Sequence, residues 1–211
     1  MKKHFVMQIP VIDENMAVVG LETMQDMPNK KRHNPVLLMA GGFGKRLHPL
    51  TDNIPKPLLE IGNKPILETI IERFISQGFY NFYISLHYLS EQLQDYFGDG
   101  SKWGVNLNYI IEDEPLGTAG VLGLLPDKLT DFPIIMMNGD LLTNINFEHL
   151  LNFHKDQGVI ATVCVREYDF QVPYGVVEAK DNIINDIIEK PIHKFFINAG
   201  IYALDEKFIK D

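Results

Sequence analysis

Short apolar runs alternate with helical patterns along most of this chain, and this alternation is the strongest constraint on its fold. Val36–Met39 and Pro133–Met137 are apolar runs of the kind that form strands buried on both faces of a sheet. Between them, residues 66–75 carry apolar side chains at helical spacing directly after Pro65, which predicts a helix that ends at Gly78. Repeated strand–helix–strand units predict an α/β fold with a Rossmann-like, doubly wound and mostly parallel sheet.

The remaining predicted elements continue this order. We predict further strands at residues 82–86, 107–111, 159–165 and 198–204, and further helices at residues 90–97, 118–125 and 147–155. Ser90 and Thr118 are predicted to cap their helices, because a hydroxyl oxygen can accept a hydrogen bond from a free backbone N–H. Residues 174–179 and 183–188 flank the turn signal Lys180-Asp181-Asn182, which predicts a small β-hairpin.

The length, charge and cysteine content of the chain exclude several classes of protein. Its 211 residues suit one sizeable α/β domain, and its net charge of −9 argues against a nucleic-acid partner. No apolar stretch reaches the roughly 20 residues of a membrane span, so no membrane partner is expected. The only cysteine, Cys164, lies in an apolar run, which predicts a buried, non-catalytic thiol and a cytoplasmic protein.

The first 33 residues differ from the rest of the chain. We predict strands at residues 5–11 and 17–21, one helical turn at residues 22–27, and a polar linker at residues 28–34. A hairpin of this size cannot bury a core alone. It therefore has to belong to a larger unit.

The sequence pattern of this first segment suggests which unit that is. Ile9-Pro10-Val11-Ile12-Asp13, followed by Val18-Val19-Gly20-Leu21 and then Asp26, resembles the second half of a CBS (cystathionine-β-synthase-type) motif. Such motifs pair into nucleotide-sensing modules. We therefore expect residues 1–33 to be a remnant of a CBS-type regulatory motif with its linker. Residues 34–211 are expected to form the main domain.

A glycine-rich loop follows the first buried strand of that domain. It contains Gly41, Gly42 and Gly44, and the cations Arg46 and Lys56 follow the loop. Backbone N–H groups in such a loop can surround phosphate oxygens, and the cations can neutralise the charge that remains. The loop therefore predicts a site for a nucleoside triphosphate.

Two better-known phosphate loops do not fit this segment. A Walker loop needs serine or threonine directly after its lysine, whereas Lys45 precedes Arg46. A dinucleotide fingerprint needs a helix that opens within the glycines, and Pro49 interrupts the chain soon afterwards.

Four more patterns lie at further predicted strands, three directly after a strand and one at the start of a strand. Asp140 follows Asn138-Gly139, and its carboxylate is a candidate Mg²⁺ ligand. Residues 112–120 contain Gly117 and Gly120, against which a flat ligand could lie. Residues 189–191 (Glu-Lys-Pro) and 198–200 (Asn-Ala-Gly) complete the set. Each pattern also suits an ordinary turn or a solvated strand end. Their convergence on one sheet edge favours a binding site.

Together, these segments resemble the sugar-1-phosphate nucleotidyltransferases, also called nucleotide-sugar pyrophosphorylases. The motifs occur in the same order as in the family, from about Val36 to Leu204. The residues of these motifs are most similar to those of the members that form GDP-sugars. It implies a Rossmann-like domain, a Mg²⁺ cofactor, and transfer of a nucleotidyl group to a sugar 1-phosphate with release of pyrophosphate. It also implies that the small β-hairpin belongs to a sugar-binding region.

The resemblance also implies roles for individual residues. The nucleotide is expected to contact Ala40, Gly41, Gly42, Gly44, Lys45, Arg46, Glu112, Gly117 and Thr118. The catalytic set is Arg46 and Lys56 on the triphosphate, Asp140 on Mg²⁺, and Lys190 on the sugar phosphate. The sugar is expected to contact Gly175, Glu189, Lys190 and Asn198.

The residue at position 112 bears on the choice of base. Family members that use uracil or thymine nucleotides carry glutamine there, whereas this chain carries Glu112. A carboxylate can accept from both N1–H and the exocyclic amine of guanine, whereas a pyrimidine imide needs a donor as well as an acceptor. We therefore predict GTP as the donor. The plain alternative is that Glu112 is one of three acidic residues on a wet strand end.

Two departures from the family pattern affect these expectations. Lys45 occupies a position that is often threonine, and it either strengthens triphosphate binding or faces solvent. The second metal carboxylate of the family has no counterpart before Asp211, so we expect a truncated domain that is weakly active or inactive.

Two other functions compete with nucleotidyl transfer. The first is a regulatory module that binds a nucleotide without turnover. The second, a nicotinamide-dependent dehydrogenase, lacks the acidic residue that should end its second strand, because that position reads Leu86-His87-Tyr88. The sugar and the oligomeric state stay open. The CBS-type resemblance suggests glucosamine 1-phosphate, and a homo-oligomer is compatible with the sequence.

Overall fold

A six-stranded mixed sheet organises the protein in a computed structural model that describes residues 8–23 and 31–210. The strands are β1 (Gln8–Ile12), β2 (Val18–Thr23), β3 (Val36–Met39), β4 (Glu60–Ile61), β5 (Lys64–Pro65), β6 (Asn81–Leu86), β7 (Asn106–Ile111), β8 (Ile134–Asn138), β9 (Ala161–Gln171), β10 (Gly175–Lys180), β11 (Ile183–Glu189) and β12 (Ile192–Leu204). The helices are α1 (Ile66–Ile75), α2 (Ser90–Phe97), α3 (Gly117–Gly120), α4 (Phe147–Gln157) and α5 (Glu206–Lys210).

The main sheet has the order β7-β6-β3-β8-β12-β9. The strands β7, β6, β3 and β8 pair in parallel, and β12 runs antiparallel to both β8 and β9. The predicted α/β class and mostly parallel sheet are confirmed. The reversal of β12 arises because β9 and β12 flank the β10–β11 hairpin and return along each other as one antiparallel ribbon.

The sheet is covered on both faces, as expected for a doubly wound fold. Alternate residues of β3 point to opposite faces, so Val36 and Leu38 join one apolar cluster and Leu37 joins the other. The larger cluster packs α1, α2 and α4 against the sheet, and the smaller one contains the turn Val121–Leu124. These two cores fix the strands whose carboxyl ends define the site.

Aromatic side chains form the centre of the larger core. The rings of Phe74 on α1 and Phe147 on α4 are stacked with their centroids 3.9 Å apart, and both are fully buried. Phe79 meets each of them edge-on. Edge-on contacts suit the charge distribution of aromatic rings, and the buried rings remove a large apolar area from water. This cluster therefore holds the two helices to each other as well as to the sheet.

The ends of the helices differ from the predicted caps. Leu89, and not Ser90, precedes α2, and it adopts a left-handed conformation with a φ of 50°. Thr118 lies inside α3, which spans only Gly117–Gly120 before a 3-10 turn takes over. Neither hydroxyl makes a capping hydrogen bond, so both predicted caps are wrong. By contrast, Asn146 caps α4 by accepting a hydrogen bond from the backbone N–H of His149 at 3.1 Å.

The predicted N-terminal hairpin is present as β1 and β2, which pair with each other in antiparallel register. The carboxylate of Asp13 organises its turn by accepting from the backbone N–H groups of Asn15 and Ala17. Residues 5–7, most of the predicted helical turn at 22–27, Asp26 and the start of the predicted linker lie outside the described residues. The CBS-type resemblance and the division at residue 33 therefore stay predictions.

Two further expectations can be compared with the described part of the chain. Cys164 is half-buried rather than buried, and this burial raises the pKa of its thiol. Within residues 8–23 and 31–210, no helix is both long and apolar enough to cross a membrane.

We predict that Phe147→Ala lowers the free energy of unfolding by about 3–5 kcal/mol, because it removes the stacked ring and leaves a cavity. Phe153→Ala is the matched control on the same helix, where the ring is 55% exposed, and it should change stability by about 0.5 kcal/mol or less. Urea unfolding followed by circular dichroism measures both values. Similar losses in the two variants would contradict the assigned core.

Candidate functional site

A cavity of about 290 Å³ opens at the carboxyl ends of the parallel strands. It is lined by Met39, Ala40, Gly41, Gly42, Phe43, Lys56, Pro57, Ser85, Glu112, Pro115, Gly117, Thr118, Asn138, Gly139 and Asp140. The parallel pairing of β3 with β6 and β8 brings these loops to the same sheet edge. The structure thus brings together eight of the residues that the sequence predicts, namely Ala40, Gly41, Gly42, Lys56, Glu112, Gly117, Thr118 and Asp140.

Glu112 is the buried carboxylate of this cavity, with 8% of its surface exposed. The hydroxyl of Ser85 donates a hydrogen bond to its Oε1, and the backbone N–H of Leu116 donates to its Oε2 at 3.1 Å. A buried charge needs such partners, because burial without them carries a large desolvation cost. Glu112 is therefore a fixed part of the cavity wall, and the interpretation as a wet strand end is wrong.

The backbone of Glu112 is held as firmly as its side chain. Its N–H donates to the carbonyl of Leu86 at 2.8 Å, and its carbonyl oxygen lies 2.7 Å from Nδ1 of His87. These contacts tie the end of β7 to the end of β6. The position of the carboxylate is thus determined by the sheet rather than by a flexible loop.

Gly41 allows the loop after β3 to pass directly over this carboxylate. A Cβ atom at this position would lie 3.1 Å from Oε1 of Glu112 and 3.3 Å from Cβ of His87. Contacts of that length are tighter than side chains normally make, so a larger residue would displace the carboxylate or the loop. Glycine lets the backbone approach the carboxylate without such a displacement.

Lys56 and Asp140 meet across the cavity. The ammonium group of Lys56 contacts Oδ2 of Asp140, and about a third of each side chain is exposed. Lys56 begins the 3-10 turn Lys56–Leu58, and Asp140 directly follows β8 through Gly139. The two groups were predicted to bind a triphosphate and Mg²⁺ respectively. In this structure they neutralise each other.

The other loop cations lie outside the cavity lining. Lys45 and Arg46 are exposed in the 3-10 turn that Gly44 precedes. The ammonium group of Lys45 lies 5.2 Å from the centroid of the Phe43 ring, a cation–π contact. Arg46 has no hydrogen-bond or ion-pair partner among the described residues, and its side chain is exposed.

The predicted sugar-binding residues are more dispersed. Gly175 and Glu189 oppose each other in the β10–β11 hairpin, and a Cβ atom on Gly175 would lie 3.1 Å from Oε2 of Glu189. Lys190 follows with a φ of 47°. All three are exposed, and none of them is among the residues that line the cavity at the sheet edge.

Asn198 lies apart from the hairpin, on β12. Its Oδ1 accepts from the N–H of Gly200 at 2.8 Å, and its Nδ2 donates to the hydroxyl of Tyr202 at 2.7 Å. It lines a second cavity of about 680 Å³ whose wall includes the loop after Asp140. The sugar-binding roles of Asn198 and of the hairpin residues stay predictions.

A metal ion in this cavity would need oxygen, nitrogen or sulfur ligands from the surrounding side chains. Among the described residues, no group of three or more histidine, cysteine, aspartate or glutamate side chains could hold an ion by itself. Mg²⁺ often binds through one or two carboxylates together with substrate phosphates. Asp140, with an accessible carboxylate at the cavity edge, fits that second mode.

Ser85, Phe43 and Arg166 line these cavities although no sequence pattern predicts a role for them. Ser85 is fully buried in the apolar run of β6, where a single hydroxyl attracted no functional interpretation. A polar side chain near the carboxyl end of a buried parallel strand is the signal that could have identified it. Arg166 lines the second cavity from β9, beyond the end of the predicted strand, so no pattern placed it near Asn198.

The comparisons with known proteins point to one family. The nucleotidyl transferase family profile matches residues 35–211. A mannose-1-phosphate guanyltransferase of Saccharomyces cerevisiae is 37% identical over 183 residues, covering 82% of this chain and 50% of that protein. Its counterpart in Neurospora crassa is 38% identical over 181 residues, with the same coverage of both chains. The chain thus spans about half the length of the curated relatives that it matches.

A solved structure has the same fold. The crystal structure of HddC from Yersinia pseudotuberculosis aligns with a TM-score of 0.65 and 29% sequence identity, covering 84% of this chain and 79% of HddC. A second HddC structure, complexed with GMP-PN, aligns equally well.

We predict that Gly139→Ala destabilises the fold by about 1–3 kcal/mol, because overpacking at a well-packed site forces backbone shifts. Its Cβ atom would lie 2.8 Å from the carbonyl oxygen of Met39, between the two central strands. Gly123→Ala is the matched control, because no atom lies within 4 Å of a Cβ atom there. Urea unfolding of both variants is the measurement, and equal effects would show that the strand ends are not tightly packed.

Proposed function

Because the chain belongs to the nucleotidyl transferase family, we propose that it transfers a nucleotidyl group from a nucleoside triphosphate to a sugar 1-phosphate. The observation that carries this proposal is the cavity at the sheet edge, where the glycine loop, Lys56 and Asp140 meet. The names of the relatives, which are mannose-1-phosphate guanyltransferases, support the same reaction class. The activity of the whole protein is part of this proposal.

The reaction needs positioning more than it needs a base. A phosphate oxygen of the sugar phosphate attacks the α-phosphorus of the nucleotide, and the bond from that phosphorus to the β-phosphate oxygen breaks. Pyrophosphate then leaves. The nucleophile is already an anion, so the main obstacle is repulsion between two anions. Lys56 and Arg46 supply the cations that offset this repulsion and stabilise the charge that develops on the leaving group.

Asp140 is the residue of this chain that we propose to hold Mg²⁺. When bound, the ion neutralises phosphate charge and polarises the phosphoryl oxygens. The remaining ligands are then expected to come from substrate phosphates and water, since one protein carboxylate leaves most positions open. Lys56 contacts Asp140 in this structure, so the lysine is already beside the position where the phosphates are expected.

We propose GTP as the donor because of the hydrogen-bonding capacity of Glu112. Guanine presents N1–H and the exocyclic amine as two neighbouring donors, and a carboxylate can accept from both. The burial of Glu112 in the cavity wall supports this role. The GMP-PN in the HddC complex and the names of the guanyltransferase relatives support it as well.

For the acceptor, we propose a hexose 1-phosphate, with mannose 1-phosphate as the first candidate. This choice follows the relatives, which are named for mannose 1-phosphate. The sequence-based choice, glucosamine 1-phosphate, is untested and is the second candidate. Gly175, Glu189, Lys190 and Asn198 remain the residues proposed to contact the sugar.

Release of pyrophosphate tests the proposal directly. The full chain is incubated with Mg²⁺, with GTP, UTP, CTP or dTTP, and with mannose 1-phosphate or glucosamine 1-phosphate. We expect the fastest release with GTP. A preference for UTP or dTTP would refute the assignment of the base. Tight GTP binding with no pyrophosphate from either sugar would contradict turnover of these two acceptors and leave nucleotide binding as the supported activity.

We predict that Glu112→Gln weakens GTP binding at least about tenfold, because a hydrogen bond to a charged group is lost and a new donor faces guanine N1–H or its amine. Binding of UTP should improve relative to GTP, since an amide offers one donor and one acceptor. Glu114→Gln is the control, because Glu114 is exposed two residues away. Calorimetric titration with both nucleotides measures the ratio. An unchanged ratio in Glu112→Gln contradicts the prediction.

We also predict that Arg46→Met weakens GTP binding about tenfold or more, since its free guanidinium is proposed to pair with the triphosphate. Lys45→Met removes a neighbouring cation of the same charge that already contacts the Phe43 ring, so its effect should be clearly smaller. The same titrations measure both effects. A larger loss for Lys45→Met than for Arg46→Met would reverse the assignment.

A further inference from the structure

Ser85 lies between the start of the glycine-rich loop and Glu112 in the wall of the cavity. Its side chain is fully buried, and it lies near the end of β6, in register with Met39 of β3 on one side and Ile110 of β7 on the other. Its carbonyl oxygen accepts a hydrogen bond from the N–H of Ala40 at 2.9 Å, where the glycine loop begins. Its hydroxyl donates to Oε1 of Glu112. Ser85 therefore connects the glycine-rich loop to the buried carboxylate of Glu112.

The hydrogen bonds at Glu112 leave a defined number of acceptor positions. An ionised carboxylate has about four lone-pair positions, two on each oxygen. Ser85 occupies one on Oε1, and the N–H of Leu116 occupies one on Oε2. One position on each oxygen remains, which matches the two neighbouring donors on the Watson–Crick edge of guanine. Without Ser85, Oε1 gains a free position and the carboxylate gains freedom to rotate.

We propose that Ser85 is a specificity-determining positioning residue, which orients Glu112 so that each carboxylate oxygen offers one acceptor to a purine that carries two donors. This proposal rests on the proposed use of GTP. Ser85 acts through Glu112 and does not need to touch the base. Its effect should therefore appear as discrimination between bases that differ in a single donor.

Inosine triphosphate is the probe for that discrimination, because hypoxanthine retains N1–H and lacks the 2-amino group of guanine. The wild-type chain should bind GTP about tenfold or more tightly than inosine triphosphate, since one hydrogen bond to a charged acceptor is lost. In Ser85→Ala the carboxylate can turn either oxygen toward a single donor. The ratio of the two dissociation constants should then fall several-fold, mainly through weaker GTP binding.

Ser85→Thr and Ser85→Val form the matched pair, because they share a shape and differ in the hydroxyl. We expect Ser85→Thr to retain most of the GTP preference and Ser85→Val to lose it, even if both are less stable than wild type. Thr162→Val is the remote control. It removes the hydrogen bond from Thr162 to His154 on the far side of the fold and should leave the ratio unchanged.

Calorimetric titration of GTP and inosine triphosphate gives the ratios, and steady-state rates show whether the loss lies in KM rather than in kcat. A fall in the ratio for Ser85→Ala and Ser85→Val, with recovery in Ser85→Thr, supports the proposal. If wild type prefers GTP and the ratio survives in Ser85→Val, Ser85 has no such role and the proposed function is unaffected. If wild type binds GTP and inosine triphosphate equally, Glu112 does not read two donors and the role of Ser85 fails, while the nucleotide panel above still tests GTP as the donor.

Discussion

The parallel pairing of β3 with β6 on one side and β8 on the other is the interaction on which the site depends. In a parallel sheet, neighbouring strands end at the same edge, so the loops that follow them must meet. Here those loops carry the glycine segment, the His87 region and Asp140. The two apolar clusters hold the strands in this register, so the packing of the core sets the geometry of the cavity.

Much of the fold could be predicted because burial leaves a clear periodicity in the sequence. The strand Val36–Met39 has the predicted bounds, because it is buried on both faces. The helix Ile66–Ile75 begins where its one buried face predicts, but it ends before the predicted stop at Gly78. The ribbon of β9 and β12 was predicted too short, because residues 165–171 and 192–197 are exposed on both of its faces. Where neither face of a strand is buried, apolar and polar residues do not alternate in a way that predicts the strand.

Part of the site could be predicted because some of its residues form recognisable patterns in the sequence. Glycine, lysine and acidic residues at strand ends are visible as patterns, so Gly41, Lys56, Glu112 and Asp140 could be named. Ser85 was overlooked, because a lone hydroxyl near the end of a buried strand marks a position but does not show its partner, Glu112. The predicted caps at Ser90 and Thr118 are wrong for a similar reason. The residues that directly precede α2 and α3 are leucines, which have no side-chain oxygen to accept a hydrogen bond and are not favoured at that position.

The contact between Lys56 and Asp140 has a consequence for the order in which ligands can be accommodated. A phosphate alone attracts the ammonium but leaves a carboxylate without its cation, and a metal ion alone does the reverse. A metal ion that is already joined to a phosphate replaces both partners in one exchange. On the proposed function, we therefore expect this ion pair to favour a nucleotide and a metal ion that arrive together over either one alone.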